Sequence, residues 1–208
     1  MVETKRDVLK RTLVDVAETH IRIRGLSALR ARDVTKEAGC ALGSLYNVFE
    51  DIDLLVLAVN SRTLTRLDRA LATALAQAPA PSDQMQSLAH AYLTFAMDNR
   101  HLWAALFDHR MPESQTIPDW HLKEHETLFS RLMAPIGQLS PSLDEQTCAL
   151  RARTIFSAVH GIVKLSLEDR FVALHPDALD SELSQMVDAI TANLQTCLLY
   201  TSPSPRDS

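Results

Sequence analysis

The stretch EAGCALGSLYNVFED, residues 37–51, breaks a helical pattern at Gly39 and restarts it for barely two turns. Leu45 and Phe49 stand four apart, so they share one face of the restarted helix and anchor it to its neighbours. Gly43, Ser44, Tyr46 and Asn47 are left on the opposite face. A helix this short is not stable alone in water, so it is held in place for what it presents. The break calls for a positive φ, which glycine adopts without steric cost. Gly43 lets another backbone come close, while the hydroxyls and the amide can donate to phosphates or base edges. Helix, turn at 39–41 and short helix together make a helix-turn-helix.

Upstream, Val8, Leu9, Leu13, Val16, Ala17 and Ile21 recur at three and four and predict a first helix over about 4–24. That leaves Lys5, Arg6, Lys10 and Arg11 on its wet side, and Gly25 ends it. A second helix is expected over 31–38 with Val34 and Ala38 inward, and a third over 42–48. Asp51 then caps a long fourth helix that stops before APAPS, residues 78–82. Further helices are expected at about 83–98, 101–110, 118–138, 143–171 and 178–198, with breaks near Pro112, Pro118, Pro141 and Pro176. The last residues, 200–208, leave the pattern abruptly and read as a disordered or non-native tail. The expected organisation is a helix-turn-helix domain at 1–50, a helical effector-binding and dimerisation domain at 51–199, and that tail.

Composition agrees with an all-α fold: 46% of the 208 residues are hydrophobic, only five are glycine, and no run alternates in the manner of a strand. No apolar stretch approaches the roughly 18 residues of a membrane span, so no membrane partner is expected. The charged N-terminus is unlike a signal peptide, and a cytoplasmic location is expected. Cys40, Cys148 and Cys197 have no CxxC spacing, which argues against a disulfide framework or a cysteine zinc site. The net charge of −5 is unevenly spread: residues 1–50 carry +2 and the remainder −7. A mildly basic head sits on an acidic body.

Residues 5–60, and above all RDVTKEAGCALGSLYNVFEDIDLLVLAV (32–59), resemble the DNA-binding domain of TetR-type transcriptional regulators. Asp33, Val34, Ala38, Gly39, Gly43, Ser44, Leu45, Tyr46, Phe49 and Leu55 match that pattern in order. More loosely, HLWAALFDHR (101–110) and Phe156, His160 and Gly161 resemble the subtype whose C-terminal domain is named for a Trp-His-Gly motif. Phe156 stands where the tryptophan would be. The resemblance implies an all-α bacterial regulator, non-enzymatic and without a cofactor, most often a repressor. It would bind a palindromic operator in double-stranded DNA as a homodimer and answer a small-molecule effector. The chain departs from the family at Ile52, where a phosphate-clamping lysine is usual, at Leu42 and Val48, and at Arg30, where a Ser/Thr cap is usual. Phosphate contacts then fall on Arg30, Arg32, Lys36, Ser44, Tyr46 and the helix N-termini. With Leu42, Gly43 and Asn47 these make up the expected DNA-facing set.

Phe95, Trp103, Phe107, Trp120 and Phe129, with His121 and His125 among them, would suit a pocket for an amphipathic small molecule; the alternative for each is an ordinary core position. HLKEH, residues 121–125, matches H-x-x-E-H, in which two histidines one turn apart grip zinc. No third ligand is legible. The alternative function is therefore a metal-binding helical protein, a sensor or a hydrolase, using His121, Glu124 and His125. Near the C-terminus Phe156, Val159 and Val163 line one helix face, and Met186, Val187, Ile190 and Leu194 another. They are expected to form the dimer interface, the alternative being that both faces pack inside one chain.

Overall fold

The computed structural model describes residues 4–168 and 172–196, with side chains to Leu194. The tail at 200–208, Cys197 and the expected helix ends at 171 and 198 lie outside the described residues. Within them all regular structure is helical: α1 (Lys5–Arg24), α2 (Ala31–Glu37), α3 (Leu42–Phe49), α4 (Ile52–Gln77), α5 (Pro81–Asp98), α6 (Arg100–Asp108), α7 (Asp119–Leu139), α8 (Glu145–Leu167) and α9 (Pro176–Thr196), with a 3-10 turn at Leu26–Ala28. The fold is all-α, as expected.

The helix starts have local causes. Thr4 caps α1 through a reciprocal pair: its hydroxyl accepts from the Asp7 N–H at 3.2 Å, and the Asp7 carboxylate accepts from the Thr4 N–H at 3.1 Å. The hydrogen bonds from Thr4 hold the Asp7 carboxyl below the usual carboxylate range. Asp51 caps α4 by accepting from the Leu54 N–H at 2.7 Å. Two helices start two residues earlier than expected. The sequence pattern makes Pro81 and Pro176 punctuation before helices beginning at 83 and 178, yet each proline opens its helix. Proline at the first helical position gives up an N–H that has no intrahelical partner anyway.

The chain divides into two compact units, 1–67 with 95–125 and 68–94 with 126–208. In the first, Leu13, Ala17 and Ile21 of α1, Val34 of α2, Leu45 and Phe49 of α3 and Leu55 and Val59 of α4 form one buried core. Leu102 and Ala105 of α6 belong to that core too, so the unit takes in more than the three-helix bundle at 1–50. Val8, expected to face inward, is exposed. In the second unit α8 and α9 pack together. The Arg131 guanidinium donates from two nitrogens to the Asp68 carboxylate at 2.9 and 3.1 Å, joining α7 to α4. Gln86 of α5 donates to the Ser184 carbonyl at 2.8 Å and to the Asp188 carboxylate at 2.6 Å on α9.

Candidate nucleic-acid interface

Gly39 has φ +69°, the left-handed turn that the sequence called for. The turn closes through the Cys40 N–H, which donates to the Thr35 carbonyl at 3.0 Å, and the Gly39 N–H, which donates to the Lys36 carbonyl at 3.3 Å. Below α3, Leu45 is 0% and Phe49 5% exposed; above it Tyr46 is 45% exposed, and Gly43 and Asn47 are exposed beside it. Leu42 and Ser44 are half-buried at its first turn. Ala41 precedes that turn and supplies no side-chain cap, so the N-terminus of α3 carries unsatisfied backbone donors. Among the described residues nothing outside its own helix backbone lies within 4 Å of where a Cβ at Gly43 would stand. Gly43→Ala should therefore stabilise the fold by up to about 1 kcal/mol through helix propensity. The same methyl should weaken DNA binding, because it stands on the exposed face. Thermal unfolding and operator titration of one protein sample check both halves.

The flanking cations divide. Arg32 and Lys36 are exposed on α2. Arg30 is exposed but partly committed: its Nη1 donates to the Ser27 and Leu29 carbonyls, both at 2.8 Å, bracing the approach to α2. Ile52 is half-buried and packs against the core, so the usual lysine position is filled by an apolar anchor. Three supports were missed in the sequence. Arg6 of α1 donates to the Asn47 carbonyl at 3.3 Å, and Lys10 lies over the Phe49 ring at 5.6 Å, so two cations assigned to the wet side of α1 brace α3 instead. The buried His20 ring meets the Glu37 carboxylate at 2.7 Å, joining α1 to α2. The i, i+4 spacing of Arg6 and Lys10 was the available signal.

The expected effector residues fall in both compact units. Phe95, Trp103, Phe107, Trp120, His121 and His125 belong to the first unit and Phe129 to the second. Trp103 is buried with Phe107 at 5.5 Å between ring centroids, whereas Trp120 is exposed and meets His121 edge-on at 5.4 Å. Phe129 packs against Phe156 at 5.3 Å, and Phe156 stacks on His160, whose Nδ1 pairs with the Tyr92 hydroxyl at 2.8 Å. Near Trp103, the Asn60 amide donates to the Ala105 carbonyl at 3.2 Å, while its buried oxygen has no hydrogen-bond partner among the described residues. Burial pushes the His121 and His125 imidazoles below their ordinary range, so both are neutral near pH 7. Cys40 and Cys148 are free thiols. No helix among the described residues is long and apolar enough to cross a membrane.

The expected dimer faces are mostly consumed within the chain. Val159, Val163, Val187 and Leu194 are buried, and Phe156, Met186 and Ile190 are half-buried. On α8, Leu150 is 60% and Leu165 41% exposed; between them Thr154 and Ser157 are exposed and Gly161 is half-buried.

Comparison with known proteins places this architecture. A family model described as "Tetracyclin repressor-like, C-terminal domain" matches residues 85–190, just over half of the chain. Among solved structures, a protein of unknown function from Rhodococcus sp. RHA1 superposes with a TM-score of 0.73 at 21% identity, covering 90% of this chain and 95% of its own. The TetR family transcriptional regulator PfmR from Thermus thermophilus gives a TM-score of 0.60 at 17% identity, covering 91% and 97%. RolR in complex with resorcinol gives 0.66 at 17% identity, covering 96% and 97%. A search of curated proteins found no match. With a helix-turn-helix whose short second helix is buried on one face and polar on the other, and with a family match over the helices that follow, this chain belongs to the TetR-type family of DNA-binding transcriptional regulators.

Proposed function

We propose that the protein is a ligand-responsive repressor that binds a palindromic operator as a homodimer, reading DNA with residues 1–50 and receiving effector and partner through 51–199. The observation that carries the reading is α3: Leu45 and Phe49 fix it from below, and Gly43, Tyr46 and Asn47 stand exposed above. The Tyr46 hydroxyl, Ser44 and the unsatisfied N–H groups of α3 suit phosphate oxygens, with Arg32 and Lys36 adding charge. Asn47 suits a base edge, such as adenine, in the major groove.

The effector half of the proposal rests on the first unit. The half-buried Phe107, backed by the buried Trp103, offers apolar surface, and the buried Asn60 oxygen, unpartnered among the described residues, offers an acceptor that a ligand hydroxyl or N–H reaching it would satisfy. An effector releases DNA only if it binds the non-DNA conformation more tightly. For the dimer, the largely exposed face of α8 from Leu150 to Leu165 takes the place of the buried valines, joined by the half-buried Met186 and Ile190 of α9.

Tyr46→Phe tests the phosphate contact and Asn47→Ala the base contact. Tyr46→Phe should lower affinity for all sequences by a similar factor, roughly three- to ten-fold, as the loss of one hydrogen bond implies. Asn47→Ala should in addition broaden the sequences recovered in a binding-site selection. An unchanged preferred sequence would remove Asn47 from the reading set.

A further inference from the structure

In the HLKEH segment of α7, the His121 and His125 Nε2 atoms lie 3.3 Å apart, one helical turn from each other. The other nitrogen of His121, Nδ1, faces the Glu124 carboxylate at 3.3 Å, and Glu124 in turn accepts from the Ser61 hydroxyl of α4. The hydrogen-bond network assigns the tautomers: Nδ1–H of His121 donates to Glu124, its Nε2 is bare, and Nε2–H of His125 donates to it. A carboxylate behind one imidazole nitrogen, fixing the ring and leaving the other nitrogen as a lone-pair donor, is how proteins support a metal-ligating histidine.

We propose that His121 and His125 together bind one borderline transition cation of the Zn²⁺ class through their Nε2 atoms, with Glu124 as the positioning residue. Two nitrogens each about 2.0–2.1 Å from a tetrahedral ion stand roughly 3.3–3.4 Å apart, the spacing already present between these rings. Binding moves the His125 hydrogen from Nε2 to Nδ1, so the exchange releases no net proton. Glu124 does not act as a third ligand, because it lies on the Nδ1 side of His121, away from the paired Nε2 atoms. His109, whose charge also acts on His121, has its Nε2 engaged by Asp53 at 3.0 Å. Among the described residues no three His, Cys, Asp or Glu side chains form a complete metal cage. The site is therefore two-coordinate from protein, with its remaining positions open to water or to an oxygen of a small molecule. That open arrangement suits reversible sensing of the ion.

The test uses the full chain, stripped with a chelator and titrated with Zn²⁺ by calorimetry and with Co²⁺ by visible absorption. One equivalent per chain is expected. His125→Ala should weaken binding by at least ten-fold, Glu124→Gln by about 10- to 100-fold, and His90→Ala on the exposed face of α5 should leave it unchanged. His121 is nearly buried, with its side chain 8% exposed, so its replacement risks the fold. For that residue imidazole nitrogen NMR of the wild-type chain gives the answer, through a shift of both Nε2 resonances on adding Zn²⁺. A wild-type chain that takes up no Zn²⁺, binding that persists in His125→Ala, or unshifted Nε2 resonances would each overturn the proposal. Operator binding is measured separately without metal, so loss of the metal site and failure of the regulator reading stay distinct.

Discussion

Leu45→Ala should lower the stability of the first unit by about 2–5 kcal/mol, the range for emptying a fully buried leucine site. Leu45 is 0% exposed and shares its core with Val34, Phe49, Leu55 and Leu102, contributed by α2, α3, α4 and α6. Set against the roughly 5–15 kcal/mol that holds a typical domain together, that loss is large. It should appear as a lower urea midpoint with the slope of the transition preserved. DNA binding should fall with it, since α3 is too short to stay helical without its anchor. Tyr46→Ala, one residue on, should behave in the opposite way. Tyr46 is exposed, so the urea midpoint should hardly move while operator affinity drops. The comparison separates what holds α3 from what α3 holds out. A Leu45→Ala chain with an unchanged midpoint would mean that α3 is not seated on this core.

Much of this was legible because helices advertise themselves locally. The three-and-four spacing of apolar residues located the helices in their order, and Gly39 announced its turn because few other residues adopt a positive φ there. Local pattern also has a limit. An apolar stripe says which face of a helix is buried but not what buries it. Leu102 and Ala105 looked like part of a separate C-terminal body, yet they complete the core around Leu45. Val159, Val163 and Val187 looked like a partner's seam, and the chain's own packing covers them. The ties between Arg131 and Asp68, Ser61 and Glu124, and His109 and Asp53 join residues more than fifty positions apart. Periodicity carries no information across such distances. The HLKEH motif was visible in the sequence, but only the geometry showed that Glu124 sits behind His121 rather than beside a shared ion.

The same limit sharpens the expectation for the dimer. Leu150, Thr154, Ser157, Gly161 and Leu165 follow one another at three and four along α8 and so form one face, exposed in the described chain except at the half-buried Gly161. Small residues in its middle let a second α8 approach closely, and the leucines at its ends supply apolar area. Gly161→Glu is the change that tests this face with least disturbance to the chain itself. Among the described residues nothing outside its own helix backbone lies within 4 Å of a Cβ at Gly161, so the first atom of a side chain there meets no clash. Replacing glycine inside a helix should even stabilise it by some tenths of a kcal/mol or more. At a two-fold seam, by contrast, the same glutamate meets its own copy, and two like charges lose their water together. The variant should therefore keep its helical circular dichroism while sedimenting as a monomer. Operator affinity should fall by about 10²- to 10⁴-fold, since two linked reading heads become two independent ones. Ile190→Glu on α9 should act in the same direction but less cleanly, because Ile190 is half-buried in its own protomer. A Gly161→Glu chain that remains dimeric would place the seam away from α8, and a monomeric one that binds the full operator like the wild type would refute the two-headed mechanism itself.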